Sequence, residues 1–376
     1  MRLLALLAFL PSLALAQGPS ITTGPGTLLS GPRILGESTF AFELDALTQD
    51  EASRPGWPVT TTRASARWCE TWSGWQSVAA GVPCIGKAGL AAFGPGMNSV
   101  PGSTDFGTGW TLTGDSRTQM SDSTGAFWRI CGNGSGIFSN AITAATGEVW
   151  TSTFELRANT AATAQIGPNS ATLGTHALSS EWKRYSQTGT MPTLTFTRAY
   201  LYVSGSGCVD VRQAQMEKSP TPGPRHDCGA AACSWAADVH TVSTAGWPVA
   251  SGEVRLQYTP SWSGAPSSVR VLADSLSGSS GLQVYVWTDG LVYALAGNGT
   301  TTTTAWSLPL TWVAGTTYEV IVTWGGGWIS VRCSDVAART AAFTGSIAFQ
   351  PTMVLGGNRT GSGFANGHIR LIRVSQ

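Results

Sequence analysis

Two runs of alternating side chains, Leu282-Gln283-Val284-Tyr285-Val286-Trp287 and Leu291-Val292-Tyr293-Ala294-Leu295, are separated only by Thr288-Asp289-Gly290. Successive side chains of a strand point to opposite faces. Asp-Gly between two such runs is a strong hairpin signal, because glycine accepts the left-handed backbone of a tight turn. Tyr318 to Trp324, Gly325-Gly326-Gly327 and Trp328 to Cys333 repeat the arrangement. Gly252 to Pro260 reads as a further strand with Glu253, Arg255 and Gln257 on one face. Phe127 to Ile130, Val149 to Leu156 and Leu194 to Phe196 alternate likewise, with Gly- and Asn-bearing turns between them. No apolar stripe with the helical period of about 3.6 residues runs for a useful length. Regularly spaced strands without intervening helices predict an all-β protein built from two tandem antiparallel β-sandwiches.

The chain opens on a different signal. Arg2 precedes an unbroken apolar run, Leu3 to Leu10, and Ala14-Leu15-Ala16 satisfies the small-x-small cleavage rule, with Gln17 the mature N-terminus. The run is too short to span a bilayer, and no later stretch has the length and apolarity of a membrane helix. We read residues 1–16 as a cleaved signal peptide and expect a secreted or surface-displayed protein. A retained hydrophobic arm docked into an assembly is the alternative. Residues 17–99 are rich in Gly, Pro and Thr with few periodic strands, and predict an extended N-terminal arm or adaptor. Residues 100–227 predict the first sandwich and residues 234–376 the second. Pro220, Pro222 and Pro224 end the first, since proline donates no ladder hydrogen bond, and residues 228–233 form a linker. Gly-Trp-Pro-Val at 56–59 recurs at 246–249, but the flanks differ and no repeated domain is implied.

Charged residues are 11% of the chain, against about 25% in an average globular protein. The 22 basic residues nearly balance the 21 acidic ones. Such a surface lacks the clustered Lys and Arg that nucleic acid or an anionic membrane requires, so neither is an expected partner.

Several segments carry a family resemblance. Glu181-Trp182-Lys183-Arg184-Tyr185 resembles a Trp-x-Arg-Tyr strand of family-4/9-type carbohydrate-binding sandwiches, and Gln213-Ala214-Gln215-Met216-Glu217 resembles their last strand. Phe349 to Gly357 and Phe364 to Val374 resemble the closing strands of laminin-G-like domains. Thr62 to Trp68, Val82-Pro83 and Gly89 to Asn98 resemble the segment that opens many phage proteins of this kind, with departures at Phe93-Gly94-Pro95 and Asn98-Ser99. With Ala236-Ala237-Asp238, these pieces resemble phage tail and minor structural proteins in which a carbohydrate-binding-module-like sandwich precedes a concanavalin A-like (laminin-G-like) one. The resemblance covers about residues 54–376. It implies jelly-roll sandwiches, cell-surface glycan or polysaccharide as partner, and assembly from several copies. It also admits a structural calcium ion as the one cofactor, with Asp105, Asp122 and Asp274 as loop acids. Three disulfides are expected. Cys69–Cys84 and Cys228–Cys233 close short loops, and Cys131–Cys208 joins two strands that flank one sheet in the resembled family. Cys333 is left a buried thiol. Zinc is the alternative use of these cysteines, with His226 beside Cys228 its single hint and no Cys-x-x-Cys to support it.

Catalytic chemistry is sparse. Glycanases of concanavalin-like fold read Glu-x-Asp-x-x-Glu along one strand; Glu43-Leu44-Asp45 begins that pattern but Thr48 holds the third acidic position. In 234–376 the acids Asp238, Glu253, Asp274, Asp289, Glu319 and Asp335 do not pair at strand spacing. His176, His226, His240 and His368 lack a nucleophile elbow and read as surface or turn residues. Asn133, Asn298 and Asn358 head sequon-like triplets that read as turns. The 16 Trp invite sugar stacking, since aromatic rings cover the apolar faces of pyranoses and a neutral cleft suits neutral glycans. Core packing competes for each of them. Trp287 and Tyr285 share a strand face opposite Val284 and Val286, and Trp306 and Trp312 flank a Pro-containing loop. Trp150 and Trp110 are the comparable residues of the first sandwich. The expected function is non-enzymatic glycan binding by a phage-tail-like or cell-surface adhesin. A structural virion or extracellular assembly protein without sugar binding is the alternative, and a glycoside hydrolase follows it.

Overall fold

The computed structural model describes residues 40–44 and 59–376, apart from 65–66, 72–73, 87–88, 162, 194, 230 and 335. The expected signal peptide 1–16, Asp45, Thr48 and Asp335 lie outside the described residues. Among the described residues there is no helix, and the strands pair antiparallel in several sheets. Gly290 adopts φ 82° in the turn between strands Ser280–Val286 and Val292–Asn298, where the Leu291 N–H donates to Asp289 Oδ1 at 2.9 Å.

The first sandwich, within residues 100–227, packs two five-stranded sheets. One orders Lys183–Thr190, Val149–Ala158, Cys208–Glu217, Gly125–Cys131 and Ser116–Asp122. The other orders Gly174–Ala177, Thr163–Gly167, Tyr200–Ser204, Gly136–Ser139 and Trp110–Thr113. Phe106, Ile130, Phe154, Leu156, Ile166, Leu201 and Met216 fill the space between them. The Cys131–Cys208 disulfide ties the paired ends of neighbouring strands. The outer face of the first sheet is also closed. Asp210 is held by Arg129 and Arg157, and Glu155 by Arg212 and Arg225. Trp182 lies against Arg157 and Arg212, with the guanidinium carbons 4.6 and 4.5 Å from its ring centre. Buried carboxylates demand such partners, which explains the near-continuous burial of strand Val149–Ala158.

The second sandwich corrects the expected arm. Its larger sheet orders Arg339–Ala342, Trp328–Cys333, Tyr318–Gly325, Gly252–Pro260, Gly367–Ser375, Gly89–Ala92 and Ile85–Gly86, with Phe40–Leu44 also pairing Gly367–Ser375. The facing sheet orders Val59–Thr62, Val239–Ser243, Thr352–Leu355, Arg270–Asp274, Ser280–Val286, Val292–Asn298 and Thr302–Trp306. Residues 40–44, 59–62, 85–86 and 89–92 are therefore strands of this sandwich, not an extended adaptor, and the first sandwich is inserted between them and residue 239. The strands escape a periodicity reading because they are short, and Gly89-Leu90-Ala91-Ala92 is in addition buried throughout. Buried polar contacts fix this return. Arg63 pairs with Asp238 at 3.0 Å, both side chains fully buried. His240, expected at the surface, is buried, with Thr61 Oγ1 at 2.8 Å and the Ala91 carbonyl oxygen at 2.8 Å from its ring nitrogens. Cys69 and Cys84 are bridged beside it in a small cluster with Val78, Ala91 and Phe93.

Both connections between the sandwiches run side by side, because Gly96–Asn98 pairs with Cys233–Trp235. The Cys228–Cys233 disulfide closes the loop before the return strand. Asn98 is fully buried there. Its amide donates to the carbonyls of Ala214 and His226, and its oxygen accepts from the Val100 and Met216 N–H groups. Cys333 is a buried thiol whose pKa burial pushes up to about 12.

The strand resembling a closing strand points Ala214 and Met216 into the core and Gln213, Gln215 and Glu217 into the joint. Gln215 donates to the Pro224 carbonyl and accepts from the His226 N–H. Glu217 accepts from Gln215 and, at 2.6 Å, from the Gly223 N–H. Burial outweighs these donors and the Arg184 charge, and raises the Glu217 carboxyl from 4.5 to about 7. Folding thus favours its neutral form. That contribution is complete below about pH 4.5 and is lost as pH rises through about 7. Glu217→Gln, permanently neutral, should gain on the wild type by about 3 kcal/mol between pH 5 and pH 8. Urea denaturation at the two pH values reads this, and an equal gap at both would contradict it.

Candidate functional site

The smaller sheet of the second sandwich turns one face to the core and the other to solvent. Along Ser280–Val286, Val284 and Val286 are fully buried while Gln283 and Tyr285 alternate with them on the outer face. Register places Tyr285 opposite Tyr293, and Tyr293 opposite Trp306. Three rings therefore cross three neighbouring strands in one row. Tyr285 and Tyr293 lie 5.3 Å apart and 7° from parallel; Tyr293 and Trp306 lie 6.5 Å apart at 34°. Trp287 adjoins both tyrosines at 6.0 and 6.4 Å. Cross-strand aromatic pairs support one another in this way, yet Trp287 and Trp306 remain 45% and 42% exposed. Trp306 belongs to the last strand of its sheet, so among the described residues the ladder places no strand beyond it.

The turn holds the row in place. The Tyr293 hydroxyl donates to Asp289 Oδ2 at 2.7 Å. Burial, then this hydrogen bond and the Asp289 charge, push the Tyr293 hydroxyl up to about 12, and Tyr285 is raised by burial and by Asp289. Both tyrosines thus stay neutral at physiological pH, as stacking and hydrogen-bonding groups. Tyr293 was not singled out by the sequence reading, although alternation with Val292 and Ala294 across the Asp-Gly turn placed it opposite Tyr285.

Trp312, Trp110 and Trp150 are core residues, a correction to their place among the sugar-stacking candidates. Trp312 is 1% exposed, packs on Trp262 and Tyr318, and donates its indole N–H to the Gly290 carbonyl at 2.8 Å. Trp110 packs on Phe106 and donates to the Gly102 carbonyl. Trp150 is buried and donates to Glu148. Each indole N–H finds an acceptor, so burial of the large ring leaves no polar group orphaned. The first sandwich instead presents Phe138, Tyr200 and Tyr202 outward, with Arg198 over Phe138 and Phe196. The Tyr-x-Tyr alternation was the signal for this row. Apart from Phe196, its rings are half-buried, and Tyr202 sits over Gly136, where a Cβ would approach its ring within 2.4 Å.

A groove of about 560 Å³ adjoins the outer row on its Gln283 side. Ser268, Arg270, Val271, Gln283, Asn358 and Phe364 are among its walls. Among the described side chains, acids of this sandwich are engaged elsewhere. Arg255 bridges Glu253 and Glu319 at 3.0 and 3.2 Å, Asp238 holds Arg63, and Asp274 accepts from the Leu276 and Arg359 N–H groups. The loop acids weighed for calcium are likewise engaged: Asp105 accepts from the Gly107 N–H and Asp122 from Thr124, with Arg157 at 2.8 Å. Among the described residues no three His, Cys, Asp or Glu side chains gather as a metal site. Cys228 is in a disulfide and the His226 ring packs on Trp235.

No protein-family model and no curated protein matches the chain. Among solved structures it is similar to the CBM40 of Ruminococcus gnavus IT-sialidase bound to α2,3-sialyllactose (14% identity, 34% of this chain, 76% of that one, TM-score 0.28). It is similar to domains LG4-5 of the mouse laminin α1 chain (12% identity, 78% and 92%, TM-score 0.28). It is also similar to the CBM22-1–CBM22-2 tandem of Paenibacillus barcinonensis Xyn10C (8% identity, 76% and 99%, TM-score 0.26). Likenesses this low decide neither fold nor activity for this chain.

The two kinds of tryptophan should separate in stability. Trp312→Ala should cost about 3–5 kcal/mol through lost burial and a cavity, whereas Trp306→Ala should stay within about 0.5 kcal/mol of wild type. Chemical denaturation of the two variants checks this.

Proposed function

We propose that the protein is a non-catalytic glycan-binding protein, and that the outer row Tyr285, Tyr293 and Trp306, with Trp287, is its sugar platform. The observation that carries the reading is the exposure of two indoles in a ring row that the register and the Tyr293–Asp289 bond hold in place. Exposed aromatic rings offer the apolar faces of pyranoses a surface at little entropic cost. Asp238, Glu253, Asp274, Asp289 and Glu319 are committed to arginine, backbone or tyrosine partners, which supports binding without turnover. We propose further that the protein is exported and acts in attachment, phage-tail-like or on a cell surface, in several copies. A shallow site desolvates little area, so single-site affinity falls in roughly the 10 μM–1 mM range, and multivalency supplies the rest. A structural assembly protein would use the same row as a protein contact.

Calorimetry with the oligosaccharides that bind the protein on a glycan array tests the reading. Trp306→Ala and Trp287→Ala should each weaken binding about tenfold or more while leaving the fold intact. An array without a bound glycan, or affinity indifferent to both changes, would favour the assembly reading. Release of reducing sugar, abolished by changing one acid of the second sandwich, would make the protein a hydrolase.

A further inference from the structure

The aromatic row ends differently on its two sides. Beyond Trp306 the ladder places no further strand among the described residues. Beyond Tyr285 the next register position is Val271, on the same outer face. That position is walled. The Val271 N–H donates to the Gly363 carbonyl at 2.6 Å, and a Cβ on Gly363 would come within 2.9 Å of a Val271 methyl. Val271 is therefore buried on a face that elsewhere meets solvent. Further along the same strand pair Asp274 stands opposite Gln283, and its carboxylate accepts the Arg359 N–H at 2.9 Å. Both contacts put residues 359–363 above the outer face. The loop is also held within itself. The Asn358 amide donates to the Ser362 hydroxyl at 2.8 Å, and its oxygen accepts from the Ser362 N–H at 2.7 Å. A wall fixed in this way needs little ordering when a ligand meets it.

The groove lies between this wall and the row. Gln283, Val271, Gly363 and Phe364 all line it, and Gln283, two residues before Tyr285, shares the outer face. The groove brings no free charge to a ligand. Arg270, the one charged residue lining it among those described, is the register partner of core-facing Val286 and turns its side chain to the core side of the sheet. What the groove offers is neutral. No hydrogen bond within the protein holds the side chain of Gln283 or of Ser268 among the described residues. An amide and a hydroxyl without partners suit the hydroxyl groups of a neutral sugar.

We infer that the groove receives the terminal residue of a neutral, linear glycan, whose following residues lie on Tyr285, Tyr293 and Trp306 and leave over the open edge of the sheet. This rests on the glycan-binding reading and deepens it, from a surface that takes any stretch of chain to one that takes a chain end. From Val271 to Trp306 the register crosses four neighbouring strands. At about 4.8 Å between strands that is roughly 14 Å, longer than a single sugar ring. A chain continuing past Val271 would meet the loop.

The test blocks one chain end at a time. The full chain is screened against neutral linear gluco-, xylo-, manno- and galacto-oligosaccharides, from disaccharide to hexasaccharide. Each glycan type that binds is then measured by calorimetry as its hexasaccharide: free, with a bulky neutral hydroxylated dendron on its non-reducing end, and with the same dendron on its reducing end. One blocked form should bind at least about tenfold more weakly than the free glycan, and the other within about twofold of it. Gln283→Ala should weaken the free glycan about fivefold, the effect of one lost hydrogen bond, and leave the weakly bound blocked form unchanged. Trp306→Ala should weaken free and blocked forms alike. Two blocked forms that bind equally would overturn the inference, as would a Gln283→Ala loss that is the same for every form. Either result, with Trp306 still required, would leave the glycan-binding reading standing. A screen without a hit, or affinity indifferent to both Trp306 and Trp287, would remove both. The blocked-end comparison uses the wild-type chain and does not depend on how a variant folds.

Discussion

Asn98 uses both amide hydrogens and its carbonyl oxygen inside the protein, on four backbone groups: those of Val100, Ala214, Met216 and His226. An inserted domain needs the chain to leave and re-enter its host at one place, and the two crossing segments cannot carry unsatisfied backbone groups into a buried joint. Pairing Gly96–Asn98 with Cys233–Trp235 satisfies part of that requirement, and Asn98 satisfies the part the ladder does not reach. Trp235 covers Gly96 so closely that a Cβ there would approach its ring within 2.2 Å. Glycine, asparagine and tryptophan at these three positions are thus explained by one joint.

The joint also orders the rest of the second sandwich. With the first sandwich looped out at Asn98, residues before it are free to pair with residues from 238 onward. Thr61, Arg63 and Ala91 then meet His240 and Asp238 in a buried polar cluster. A half-satisfied cluster would be worse than an apolar one, so the return path is specified as well as stabilised. The facing sheet built on Val59–Thr62 and Val239–Ser243 ends in the three strands that carry the aromatic row. Trp312 supports the same hairpin from the core side through the Gly290 carbonyl.

The hairpins and the division of Ser280–Val286 into buried valines and outward Tyr285 were legible in the sequence, because alternation and Asp-Gly chemistry are local. The insertion was not. Val59-Thr60-Thr61-Thr62 and Gly89-Leu90-Ala91-Ala92 are too short to show a period, and their pairing partners lie far along the chain. Tryptophan roles were legible only where a strand pattern fixed the face. Trp287 and Tyr285 followed from Val284 and Val286, but Trp312, Trp110 and Trp150 are placed by tertiary acceptors for their indole N–H groups.

The central claim is that glycan meets the protein on the outer aromatic row. Indole N–H resonances of the full chain, followed by NMR during titration with an oligosaccharide that binds on the array, test it most directly. The account predicts shifts at Trp287 and Trp306 and none at Trp312, Trp110 or Trp150. Shifts confined to other tryptophans, or an unchanged Trp287–Trp306 pair at saturating sugar, would contradict it.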